Sequence, residues 1–368
     1  MKLYLLIFLS LAGCLCAAKT YIYIGVWPHN ILVVDESNYQ VVKSIELSTD
    51  APENLVVTSD HKKLIAWTLK ESGIEIVDLE KGEVVESWKL GGTNLQMLPA
   101  GLAVDPTGNL LYANVISSKR LTDRWDTSIS KICVIDLKQH KIVKESEWDP
   151  SFGDQDIFGE FHVSPDGKYL YDFSSKITIF DTSTLKKAES IELAKPAFND
   201  LEHLRFSPQS DPNQDGNSLS GIYETEDPIV HRKTYGLATF HLNERKFDFT
   251  PIGPVFPGIA TGSAFGVSSL RVTPDHQKAY AMALAGEHGD RRCEFWTIDV
   301  GRRKLAQRQD FDCRTGAYYG FNLSSTGDRV VLLSGNDLEI FNPIDMKLEK
   351  GVSLDGSITA PMVTVIEP

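Results

Sequence analysis

The chain of 368 residues is poor in cysteine, methionine and tryptophan, with 5, 5 and 6 of them, and its nine histidines are dispersed. There is no Cys-x-x-Cys-His for covalent haem, no His-Glu-x-x-His for zinc, no Gly-x-Ser-x-Gly elbow and no phosphate-binding glycine loop. The common routes to a self-contained catalytic centre are therefore missing. Positive charge is scarce too: 37 Lys and Arg stand against 50 Asp and Glu, for a net charge of −13. The basic residues are scattered rather than clustered, which argues against nucleic acid as a partner. No stretch carries a convincing amphipathic helical period.

What the chain has is a repeat. An apolar strand, a small polar turn and a second apolar strand recur six times, clearest at Phe161-His162-Val163-Ser164-Pro165-Asp166-Gly167. The other copies lie at 55–61, 102–108, 204–208, 270–276 and 321–327. An alternating strand that usually ends in aspartate follows, at Asp35, Asp78, Asp136, Asp181 and Asp299, with His241 and Asn342 in the two remaining copies. Seven strand ends against six turns imply one repeat split between the termini. Ala360-Pro361-Met362-Val363 reads like Ala51-Pro52-Glu53-Asn54, so the last strand is expected to complete the first repeat. These observations specify an all-β, seven-bladed β-propeller closed by pairing of the N- and C-terminal strands. The expected organisation is a signal peptide over residues 1–18 and one propeller over 19–368.

The leader has Lys2, an apolar run from Leu3 to Leu9 and small residues at Cys16-Ala17-Ala18, so export is expected. Leu11-Ala12-Gly13-Cys14 also matches a bacterial lipobox, and acylation of Cys14 is the alternative, the only route to a membrane. In an oxidising compartment Cys293 and Cys313 become a candidate disulfide. They flank a turn at Gly301-Arg302-Arg303 that would set them nearly opposite in a hairpin. Two buried free thiols are the other reading, and Cys133 reads as a core thiol. Asp211, Asn213 and Asp215 precede Gly216 as in the start of a calcium loop, with Glu224 or Glu226 available to close the shell around Ca2+. A polar turn without metal explains the same residues. His162, His203, Arg205 and Arg271 lie on or beside inner strands, where a channel would run.

Partner contacts are expected where blades depart from the repeat: 117–126, 222–233 and 286–292. Arg124, Trp125 and Tyr223 are interface-rich residue types, with Glu226, His231 and His288 beside them. Tolerated surface insertion is the bland alternative.

Over the mature length the chain resembles the β-subunit of quinohaemoprotein amine dehydrogenase and, more broadly, YVTN-type seven-bladed propellers. The resemblance rests on Tyr21-Ile22-Tyr23-Ile24, on Asn30 to Asp35, on the Arg-containing insertion of blade three, on Tyr235 to Leu242 and on Tyr318 to Ser324. The Asp211 to Gly216 stretch departs from it. This similarity implies a non-catalytic periplasmic platform on which a dihaem cytochrome and a quinone-bearing subunit pack, with haem and quinone on those partners alone. Hydrazine synthase uses a similar propeller, so another nitrogen-metabolism haem complex is an alternative implication. A stand-alone secreted binding propeller and a lactonase- or lyase-type enzyme working at the channel mouth are the readings from other classes.

Overall fold

The computed structural model describes residues 19–149, 160–174, 176–193, 202–209, 216–226, 233–252, 269–285, 292–311, 318–360 and 362–366. Cys14, Asp211, Asn213, Asp215, His231, His288 and Cys313 lie outside them. The described strands pair into seven antiparallel sheets, six of four strands and one of five. Each is a blade, and in six of them the inner, second, third and outer strands follow in chain order, as in Pro52–Val57, Lys63–Thr68, Gly73–Asp78 and Glu83–Lys89 of blade two. The only helix among the described residues is a single 3-10 turn, Lys70–Ser72.

Burial follows from position in the blade. Third strands such as Asn30–Asp35 and Lys131–Asp136 are buried over four consecutive residues, because a neighbouring blade covers each face. Outer strands such as Glu83–Lys89 alternate exposed with half-buried, the pattern of a sheet at the rim of the disc. Seven apolar clusters result, one between each pair of adjacent blades; Tyr23, Val33, Leu64 and Val77 share one across blades one and two.

The recurring aspartates hold turns. Asp136 Oδ1 accepts backbone N–H bonds from Lys138 and Gln139 at 2.9 and 2.8 Å, and Asp181 Oδ1 accepts from Thr184 at 2.9 Å. In the inner turn of blade four, Ser164 N–H bonds to the Tyr169 carbonyl at 2.8 Å and Gly167 takes the left-handed conformation at φ 73°.

The ring closes as the repeat demands. Val363–Ile366 is the inner strand of blade one and runs antiparallel to Thr20–Val26, with Thr20 opposite Ile366 and Tyr23 opposite Val363. Thr359 N–H to the Gly25 carbonyl, 2.9 Å, and Trp27 N–H to the Ser357 carbonyl, 2.7 Å, extend the joint.

Candidate docking face

In a four-stranded antiparallel blade, the connections from second to third strand and from outer strand to the next blade emerge on one face of the disc. The turns from first to second strand and from third to outer strand emerge on the other. The strand ends flanking 121–130, 227–232 and 286–291 all belong to the first kind, so these three pairs of strand ends lie on one face. The strand ends flanking 210–215 are of the second kind and lie on the opposite face.

Blade three stands out on the first face. Its second strand, Leu110–Arg120, has 11 residues where Tyr169–Phe173 of blade four has 5. At about 3.3 Å per residue the surplus carries a wing about 16–20 Å beyond the regular blade end. Leu95 and Gln96 pair with Lys119 and Ser118 on one side of it, and Trp125–Thr127 pairs with Ser118 to Arg120 on the other. The root is pinned to the 3-10 turn of blade two, where Ser72 Oγ accepts from Met97 N–H at 2.6 Å and donates to the Met97 carbonyl at 3.0 Å. Alternation puts Met97 against the blade-two core and leaves Leu98, 37% exposed, and Trp125, 50% exposed, on the open side. Trp27, in the second-to-third connection of blade one, is 53% exposed on the same face. Trp67, Trp148 and Trp296 are buried, so among the described residues the aromatic rings most open to solvent share this face.

The sequence-derived interface residues divide accordingly. Arg124 and Trp125 are exposed at the wing tip, where the Arg124 guanidinium lies 3.3 Å from the Asp123 carboxylate. Tyr223 corrects the expectation: it is fully buried in the core between blades four and five, edge-on to Phe249 at 5.2 Å between ring centres. Its ring lies over Gly236, whose missing side chain leaves the room; a Cβ there would sit 2.2 Å from the ring. The segment treated as an insertion is strand Ser218–Glu226 up to Glu226, and alternation within it turns Tyr223 inward. Burial pushes the Tyr223 phenol up to about 12. Glu226 ends this strand, opposite Glu202 and Lys233.

The register also places Glu224, the residue expected to close a calcium shell whose other members lie outside the described residues. Glu224 stands opposite Arg205, four residues along from the Gln209–Ser220 pair that opens the 210–217 connection, a separation of about 13 Å. In blade six Cys293 stands opposite Phe311, two residues short of Cys313, because the register shifts between Thr297 and Ile298. A bulge at this place recurs in several blades and spoils a count from the turn. Cys133 is buried, and burial pushes its thiol up to about 12.

Along the channel, equivalent inner-strand positions meet head to tail. Arg271 Nε donates to Asn322 Oδ1 at 2.9 Å, and Asn322 Nδ2 donates to Thr364 Oγ1 at 2.7 Å, linking blades six, seven and one. His162 holds the same position in blade four, edge-on to Phe173, its Nε2 3.5 Å from Glu160 Oε2 but without hydrogen-bond geometry. It borders a cavity of about 240 Å³ otherwise lined mainly by aliphatic side chains, including Val56, Ala103 and Leu219. Glu53, on the inner strand of blade two, has a buried carboxylate oxygen with no hydrogen-bond partner, and burial raises its pKa. Among the described residues no three His, Cys, Asp or Glu side chains gather as a metal site.

No family model and no curated protein matches the sequence. Solved structures match in fold. The periplasmic gluconolactonase of Pseudomonas aeruginosa aligns over 95% of this chain and 100% of its own at 12% identity, with a TM-score of 0.56. The β-propeller domain of Cps50 (Swd1) from Myceliophteria thermophila aligns over 86% and 90% at 12% identity, TM-score 0.51. A chain of Kuenenia stuttgartiensis hydrazine synthase aligns over 89% and 90% at 16% identity, TM-score 0.49. At such identities the first two likenesses carry the propeller fold and no activity.

Proposed function

We propose that this chain is a non-catalytic propeller platform of an exported, haem-containing oxidoreductase complex, of the amine dehydrogenase β-subunit kind, which holds its partner subunits on the face that carries the blade-three wing. The carrying observation is the concentration of half-exposed Trp27, Trp125 and Leu98 on that one face of a rigid ring. Aromatic anchors on a rigid scaffold are what protein interfaces use for most of their energy. The leader-like residues 1–18 and the family resemblance supply the compartment and the kind of partner, with haem or quinone carried by the partners. Calcium at Asp211, Asn213 and Asp215, between strand ends of the opposite face, serves the propeller itself in this reading.

The test is mild purification of the tagged chain from its native host, read for haem absorption. Haem protein should co-purify with wild type and be lost from the Trp27→Ala, Leu98→Ala double variant, whose melting curve should stay that of wild type. If wild type brings down no haem protein, the chain is a stand-alone binding propeller and the platform reading fails.

A further inference from the structure

The outer edge of Trp125–Thr127 pairs with no strand among the described residues. Three bonds settle which backbone groups lie on it. Leu121 N–H donates to the Arg124 carbonyl and Ser128 N–H to the Ser117 carbonyl, both at 2.8 Å, while Arg120 N–H turns the other way, to the Asn94 carbonyl at 2.9 Å. Bonded and non-bonded pairs alternate in an antiparallel hairpin. Lys119 and Asp126 therefore exchange bonds across the hairpin, and the N–H and C=O groups of Trp125 and Thr127 point outward. An open edge of this kind is a template for another strand.

The side chains specify the strand. We propose that the occupant is the same edge of a second copy of this chain, antiparallel about a two-fold axis at Trp125. In that register the two Trp125 residues form a bonded pair with each other. Arg124 of each copy then faces Asp126 of the other, at the non-bonded positions where side chains approach most closely. Behind Asp126 stands Lys119, its partner within the hairpin, so charges alternate across the joint: Lys119, Asp126, then the other copy's Arg124. On the opposite face of the sheet Arg120 backs Trp125 in each copy. An axis at Asp126 would oppose Asp126 to itself. An axis at Thr127 would draw the joint down to buried Ser130 at the wing root. Axes between residues would set outward groups against groups already bonded. Trp125 lies one residue from the closing Leu121–Arg124 pair, so the two discs extend in opposite directions and do not meet. The contact is short, below the roughly 1,200 Å² of standard interfaces, and the dimer is reversible and concentration-dependent. It goes beyond the platform reading, because it uses the wing's edge rather than its partner-facing side.

The experiment is sedimentation equilibrium on the purified chain alone, over a range of concentrations and at low salt. Wild type should show a monomer–dimer equilibrium. Asp126→Arg and Arg124→Asp should each weaken it at least about tenfold, since one substitution alters two symmetric contacts. The double exchange Arg124→Asp, Asp126→Arg should restore it. Trp125→Pro, which deletes an outward N–H and leaves the hairpin bonds in place, should abolish it with the charges intact. All three positions changed, Arg124, Trp125 and Asp126, are solvent-exposed, and unchanged melting curves would confirm the fold. A monomer at every concentration, a dimer indifferent to the single reversals, or a double exchange that fails to rescue overturns the proposal. With no haem partner in the cell, these outcomes are independent of the co-purification test.

Discussion

Glu75 offers a test of what holds neighbouring blades together. It is fully buried on the third strand of blade two, and its carboxylate receives Thr49 N–H at 2.7 Å, Thr49 Oγ at 2.6 Å and Ser48 N–H at 3.1 Å. Ser48 and Thr49 belong to the connection from blade one, so a single side chain ties the two blades on the docking face. Thr49 Oγ1 also meets Thr68 Oγ1 at 2.8 Å, and Gly73 leaves no room for a Cβ beside them. A hydrogen bond to a charged group contributes about 1.5–3 kcal/mol. In Glu75→Ala the exposed Ser48 N–H regains water, whereas the two Thr49 donors lose their acceptor in a half-buried place, so the loss should be about 3–5 kcal/mol. Glu75→Gln keeps one acceptor but turns an amide NH₂ toward a donor, and about 1–2 kcal/mol is expected. Urea unfolding measures both, as a lower midpoint at unchanged slope. A cycle with Thr49→Val should give a coupling of at least about 1 kcal/mol. If Glu75→Ala unfolds within about 1 kcal/mol of wild type, or if Glu75 and Thr49 prove additive, the clamp does not exist.

Removal of 360–368 takes away the inner strand of blade one, and the cooperative transition should be lost, then regained on adding that segment as a free peptide; an unchanged melting curve would refute strand sharing. Burial raises the pKa of Glu53 above its unfolded value of 4.5, so the folded state holds this proton more tightly and stability falls as pH rises through the window above 4.5. Glu53→Gln should therefore unfold at higher urea than wild type near pH 7.5, with the gap closing toward pH 4.5; a destabilised variant at pH 7.5 sinks the argument. The Cys133 thiol, pushed up to about 12, should resist alkylation at pH 8 in folded protein and react promptly in urea, as read by mass spectrometry. For Cys293 and Cys313, the thiol count of exported, unfolded, unreduced protein decides: two alkylated thiols at these positions rule out the bridge.

The blade count, the turn chemistry and the closure of the ring were legible in the sequence because each is written in short-range pattern. Asp136 and Asp181 mark their turns since an aspartate can bond backbone N–H groups two or three residues on, and the likeness of 360–363 to 51–54 marks the split blade. Cys133 was legible as core because it sits inside a strand buried on both faces. Other features depended on where chain segments distant in sequence come together. Tyr223 looks like an interface residue until strand alternation and the gap over Gly236 turn it inward. Cys293 looks aligned with Cys313 until a bulge shifts the count. Glu224 follows the calcium-like motif closely in sequence, and only the strand register shows that it stands opposite Arg205, four residues along from Ser220. The Glu75 clamp and the Arg271–Asn322–Thr364 ladder leave no trace in local sequence, because their partners are brought together only when the blades close into a ring. Local sequence thus determined the blade and its turns, whereas register, face and partner were decided by the packing of seven blades around one axis.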